Sequence, residues 1–140
     1  MHDHAHGDWQ LEMHGPVMAL TLFSGFNSRG VSALHQYAAE ALAAAMALGL
    51  QPPLAAIADL RPWQFITADA EPALRNLIER MAIVGFSHVA YISGGTLRQQ
   101  LLERLWQQWP KVNRYYCNTP DEANAWLAAA GFTPPPIACS

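Results

Sequence analysis

Charge is scarce in this chain. Acidic and basic side chains make up 14% of its 140 residues, against roughly a quarter in an ordinary soluble domain. Part of the surface is therefore apolar or covered by a partner, and a homodimer is the simplest cover. Basic residues are scarcest: eight Lys and Arg stand against eleven Asp and Glu, for a net charge of −3. They are scattered, so no cationic stripe exists to neutralise a phosphate backbone, and nucleic acid is not an expected partner.

Cysteine is nearly absent. Cys117 and Cys139 lie at no metal-ligand spacing, which argues against a disulfide framework and fits a reducing cytoplasm. No apolar run approaches the roughly 18 residues of a membrane span. The alanine-rich stretch 40–50 is shorter, and it meets Gly49 as the end of a helix in water would. The opening MHDHAHGDW lacks the basic and apolar regions of a secretory signal. Residues 1–7 read as a disordered His-rich leader. His2, His4 and His6 could touch a transition metal, but a flexible leader preorganises nothing, so they rank only as weak incidental ligands. No cofactor is expected.

What is present is a regular alternation of apolar segments. Residues 9–14 alternate apolar and polar, as a half-buried strand does. After the Gly15-Pro16 turn, residues 17–23 run more continuously apolar, as a strand covered on both faces does. Asn27 or Ser28 can cap the next helix, whose apolar stripe includes Leu34, Ala38, Ala41 and Ala45, and Gln51-Pro52-Pro53 ends it. Residues 54–60 form a third strand. After a loop, Asp69 is the best cap for a second helix, with Pro72 in its first turn and Gly85 at its end. Residues 88–93 form a fourth strand. Gly94-Gly95 then turns the chain, and Thr96 caps a third helix with Leu97, Leu101, Leu105, Trp106 and Trp109 on its buried face. Residues 113–117 make the fifth strand. Thr119-Pro120-Asp121-Glu122 has the form of a capping box with Pro at the first helical position, and residues 133–140 are a Pro-rich tail.

Strands alternating with helices need crossover connections, which are right-handed almost without exception. The expected fold is α/β: one domain over residues 8–132, with an N-terminal hairpin, a mixed but mostly parallel five-stranded sheet and about four helices. Ligands of such sheets collect at the carboxyl ends of the parallel strands. The loops Asp59-Leu60-Arg61-Pro62-Trp63, Ser93-Gly94-Gly95-Thr96 and Cys117-Asn118-Thr119 should converge there. Two readings stand for the first loop. It is a recognition surface with Arg61 as anchor and free helix amides assisting, or Asp59 caps a turn, Arg61 pairs with Asp59 or Glu71, and Trp63 packs over the helix. Gly94, Gly95 and Thr96 have a faint likeness to a phosphate cradle but lack the lysine and spacing of a P-loop. Cys117 and Ser93 lie near the same edge, but nucleophilic catalysis also needs a base in reach. His88 opens its strand at the opposite edge, roughly 15 Å away by strand rise.

The element order, the segment IADLRPW closing the third strand, and the segment TPDEANAWLAAAGF together resemble the STAS superfamily, and within it the SpoIIAA-like branch, over residues 9–132. The resemblance implies a compact α/β domain serving as a binding or regulatory module rather than an enzyme. In the anti-sigma-factor antagonists of that superfamily, an Asp-Ser pair at a helix start carries a Ser that a partner kinase phosphorylates. Aligned without gaps, the strand end falls on Asp59-Leu60, Thr67 stands for the Asp and Ala68 for the Ser. A phosphate there would add close to two negative charges, and Ala68 cannot carry it. The expectation is thus a non-enzymatic regulatory or interaction module without the phosphorylatable Ser, its recognition edge built on Asp59, Arg61, Trp63 and Thr67. Likeness of SpoIIAA-like proteins to lipid-carrying domains of the CRAL-TRIO type implies the alternative, a carrier or sensor of a small apolar ligand such as a lipid. Trp63, Phe65, Phe86, Trp106, Trp109 and Trp126 would line its pocket.

Overall fold

A computed structural model describes residues 7–93 and 95–133. His2, His4, His6, Gly94 and Cys139 lie outside the described residues, as does most of the proline tail. The described part runs β1 (Asp8–His14), β2 (Val17–Phe26), α1 (Ser28–Ala47), β3 (Leu54–Asp59), β4 (Trp63–Ile66), a 3-10 turn (Ala68–Ala70), α2 (Glu71–Val84), β5 (Phe86–Ile92), α3 (Thr96–Trp106), β6 (Asn113–Cys117) and α4 (Pro120–Ala129).

β1 and β2 form the antiparallel hairpin that the Gly15-Pro16 turn dictates, with Trp9 opposite Leu22 and His14 opposite Val17. The sheet continues in the order β1-β2-β3-β5-β6, all parallel after the hairpin. Each parallel step advances in one direction, so right-handed crossovers place α1, α2 and α3 on one face. Their buried Leu34, Leu42, Ile78, Leu102, Leu105 and Trp106 pack there with Met18, Ala56, Val89 and Tyr91 of the sheet. Among the described helices, α4 alone covers the other face, setting Ala123 and Leu127 on Ala55, Ile57, Ala90 and Cys117.

The sheet has one more strand than the alternation of apolar segments predicts. After Leu60-Arg61-Pro62 the chain turns, Trp63 N–H meeting the Leu60 carbonyl at 3.1 Å, and β4 runs beside an extended end of β2. β2 reaches Phe26 rather than residue 23 because Ser24, with φ of 55°, bulges and bends it toward β4. Gly25 makes this approach feasible, since a Cβ there would sit 2.2 Å from the Phe65 ring.

Helix starts divide in the same way. Asn27 caps α1 by accepting from the Gly30 amide at 2.9 Å, and Thr119 caps α4 by accepting from the Glu122 amide at 3.2 Å. Asp69 does not cap α2: the helix opens two residues later, after the 3-10 turn, and Asp69 instead accepts from the Thr67 hydroxyl. Nor does Thr96 cap α3, because it is already the first helical residue, and Gly95 holds the cap position without a side-chain bond. Leu97 is also off the buried stripe and 82% exposed. The stripe runs through Leu102, Leu105 and Trp106, and one turn back from Leu102 it reaches Arg98, not Leu97.

α3 is fastened to β6 by a polar group. Arg114 grips both carboxylate oxygens of Glu103 and donates to the Val112 carbonyl at 2.6 Å, while the Tyr116 hydroxyl donates to Glu103 at 2.6 Å. The Arg114 guanidinium holds the Glu103 carboxyl below the usual carboxylate range, outweighing the burial that opposes it. A carboxyl depressed by folding contributes stability above its unfolded pKa, and that contribution is lost as pH falls through the folded value. Urea midpoints should therefore drop from neutral pH to pH 3, and Glu103→Gln should flatten the slope below pH 5. An unchanged slope would show that the pair stabilises nothing.

Candidate functional site

β3, β5 and β6 end together. Asp59 is in register with Ile92, and Ile92 with Cys117. The Leu60 amide donates to the Ile92 carbonyl at 2.9 Å, and the Ser93 amide to the Cys117 carbonyl at 3.1 Å. The loops after these strands thus meet along one border, as parallel strands of similar length require.

Within the first loop, Asp59 accepts the Arg61 backbone amide at 3.0 Å and the guanidinium through Nε at 3.0 Å and Nη2 at 2.8 Å. Asp59 is largely covered, while the Arg61 side chain is 42% exposed. The contact follows the second reading of this loop: Arg61 pairs with Asp59. Trp63 points inward and is only 4% exposed. It is a wall of the core rather than a contact residue on the surface.

Residue 98 joins the loops, a role that spacing alone does not reveal. The Arg98 guanidinium donates to the carbonyls of Leu60 at 2.6 Å, Ser93 at 3.4 Å and Trp63, and lies over the Trp63 ring at 5.7 Å. Three carbonyls at strand ends aim negative dipoles at one point, and a planar cation with five donors satisfies several at once. The only available sequence signal was a charged residue on the inward stripe of an amphipathic helix.

Thr67 stands at the head of the 3-10 turn in extended conformation. Its amide donates to the Phe26 carbonyl at 2.9 Å and its hydroxyl to Asp69. Ala68 is exposed. A groove of about 220 Å³ between the start of α2 and α3 is lined by Ile66, Thr67, Ala68, Glu71, Leu74 and Leu101. Glu71 on its rim pairs with Arg104 of α3 and with Arg75 at 3.7 Å. Phe65 of β4 and Leu97 at the start of α3 are 58% and 82% exposed. Gly95 and Thr96 are exposed at the head of α3.

Ser93 and Cys117 are buried at this border. Burial pushes the Cys117 thiol up to about 11, well away from nucleophilic ionisation at neutral pH. His88 is paired with Asn113 at the other end of the strands, four residues and roughly 13 Å from Cys117. Its ring packs on Trp126 and Phe132 at 5.2 and 5.5 Å, and burial lowers its pKa. The strands thus keep the candidate base and nucleophiles apart. Among the described residues, no three His, Cys, Asp or Glu cluster as metal ligands do, and no helix is long and apolar enough to cross a membrane.

The chain matches no protein-family model and no curated protein sequence. Solved structures do match it in shape. An uncharacterised protein of the DUF3478 family with a SpoIIAA-like fold, from Shewanella loihica PV-4, covers 87% of this chain and 93% of its own, with a TM-score of 0.64 at 15% identity. The anti-sigma factor antagonist SpoIIAA in its unphosphorylated form covers 89% and 100%, with 0.58 at 12% identity. An anti-sigma factor antagonist from Mycobacterium paratuberculosis covers 94% and 100%, with 0.56 at 21% identity. The chain therefore has the SpoIIAA-like fold, in keeping with the resemblance to the STAS superfamily carried by its element order.

Proposed function

We propose that this domain is a non-enzymatic regulatory module that docks a partner protein at the border where β3, β5 and β6 end. The observation that carries this reading is the pair of large apolar side chains, Phe65 in β4 and Leu97 at the start of α3, left 58% and 82% exposed on segments that follow β3 and β5. Exposed apolar side chains rimmed by charge are a common form of protein interface. An Arg already oriented by a two-point carboxylate contact loses little further freedom on binding. Likeness in fold to proteins described as anti-sigma factor antagonists supports a regulatory role. Control by phosphate at position 68 is not part of the proposal, because Ala68 has no hydroxyl and that of Thr67 is engaged by Asp69.

In quantitative affinity capture from cells, Arg61→Ala and Phe65→Asp should each lose the same partner, which Ile83→Asp, an exposed residue near the end of α2, should retain. Identical recovery by all variants would overturn the assignment. Arg61→Ala should cost under about 1 kcal/mol in stability, as partly exposed ion pairs do, so lost capture would not reflect unfolding. A second copy of the chain counts among the partners under this reading. In that case the solution mass is doubled in the wild type and halved in Phe65→Asp.

A further inference from the structure

β1 is an edge of the sheet. Its inner side pairs with β2 over seven residues, and among the described residues no strand pairs with its outer side. An edge presents a row of backbone donors and acceptors to any other strand, and proteins usually blunt it with a lysine, a proline or a bulge. The β1 segment DWQLEMH contains neither lysine nor proline, and its register with β2 is unbroken. The two faces of β1 differ. Trp9, Leu11 and Met13 pack toward the main core, whereas Gln10 and Glu12 are exposed on the opposite face. On the core side a groove of about 570 Å³ runs between β1 and α1, and its walls include Leu11, Gln36, Tyr37 and Glu40. Tyr37 stands edge-on to Trp9 at 6.1 Å, with 48% of its own surface exposed. A strand added about 4.8 Å from β1 would set its apolar side chains into this groove.

The residues of β1 indicate which strand fits. Counted outward from Leu11, they match by type: Gln10 with Glu12, Trp9 with Met13, Asp8 with His14. A two-fold axis through Leu11 therefore pairs the whole strand with its own copy, amide facing carboxylate, apolar facing apolar and acid facing imidazole. Moving the axis to Glu12 sets that carboxylate against itself, and moving it to Gln10 sets Asp8 against Glu12. Like charges directly opposite destabilise a sheet. An axis between two residues would put the apolar row of one copy on the polar face of the other.

We propose that two copies of this chain pair antiparallel through β1, with Leu11 at the two-fold axis, joining their sheets into one and covering the groove beside Tyr37. The contact is self-complementary, as a two-fold interface must be. It also covers part of the surface that the low charge content leaves apolar. Phe65, Leu97 and the Asp59–Arg61 pair belong neither to β1 nor to the groove, so this pairing and partner docking at the strand-end border can fail separately.

The test uses the full chain and reads its mass by sedimentation equilibrium. The wild type should sediment at twice the chain mass. Gln10→Glu, at an exposed position, opposes a carboxylate to Glu12 of the second copy at two places, and should weaken the dimer at least about tenfold. Adding Glu12→Gln restores the amide–carboxylate pairing in reverse, and should return the dissociation constant to within about threefold of the wild type. Phe65→Asp should leave the dimer unchanged. A wild type that stays at one chain mass up to about 1 mM, where even weak association is detected, would overturn the pairing. So would unchanged affinity in Gln10→Glu or a double variant that is not rescued. A dimer lost in Phe65→Asp would place the second copy at the docking border and also overturn it.

Discussion

Trp106→Ala should remove about 3–5 kcal/mol of stability, the range for truncating a large buried aromatic side chain. Trp106 has no solvent exposure, and its indole N–H donates to the Tyr91 hydroxyl, itself in the core. The substitution opens a void at the junction of α3 with the sheet and leaves the Tyr91 phenol without its donor. Against a total of about 5–15 kcal/mol for a domain, the loss is about a fifth or more, and it should lower the melting temperature by more than about 10 °C. Trp106→Phe separates the two contributions. It retains most of the volume but deletes the N–H, and should cost about 1–3 kcal/mol. Urea denaturation at neutral pH measures both. A cost below about 1 kcal/mol for Trp106→Ala would show that α3 does not pack as described.

The second large effect concerns Arg98. Arg98→Met keeps the apolar stem and removes every donor, so the carbonyls of Leu60, Trp63 and Ser93 lose their shared cation. Hydrogen bonds to a charged group contribute about 1.5–3 kcal/mol, and the partial exposure of Arg98 places the expected cost near 2 kcal/mol. The diagnostic result is local. Amide exchange at Leu60 and Trp63 should quicken at least tenfold, while amides of the β1–β2 hairpin should not change. Arg98→Lys should recover only part of the protection, since an ammonium is a point donor and cannot span three carbonyls as a guanidinium does. Uniform acceleration across the sheet would indicate global destabilisation and refute a local clamp.

Much of this architecture is legible residue by residue. Gly15-Pro16, the caps at Asn27 and Thr119, and Gly85 act through backbone conformation and contacts within four residues, so the linear chain displays them. The short β4 is not legible in the sequence, for a different reason. Trp63-Gln64-Phe65-Ile66 does alternate, but four residues after a proline are too few to separate a strand from a loop. It becomes a strand because β2 bulges at Ser24 and offers Gly25 and Phe26 as partners. The starts of α2 and α3 are not fixed by local sequence, because Asp69 and Thr96 are both good capping types yet Ala70 and Gly95 hold the cap positions. Which residue caps depends on where the incoming loop is held, and here a 3-10 turn and a stretched Gly95 decide it.

The candidate border divides along the same line. That residues 59–63, 93–96 and 117–119 approach one another follows from element order alone, since right-handed crossovers between parallel strands leave all the carboxyl ends on one side. That Asp59 engages Arg61 was open in the sequence as one of two readings, because residues two apart in a turn are within reach of each other. The inward turn of Trp63, the clamp by Arg98 and the outward exposure of Phe65 and Leu97 depend on which side chain occupies the limited space beneath the strand ends. Pairing between neighbours in the chain is set by covalent geometry, which the sequence carries. Competition among residues 30 or more positions apart for one volume and one set of carbonyls is decided only when the sheet has closed and the helices lie on it.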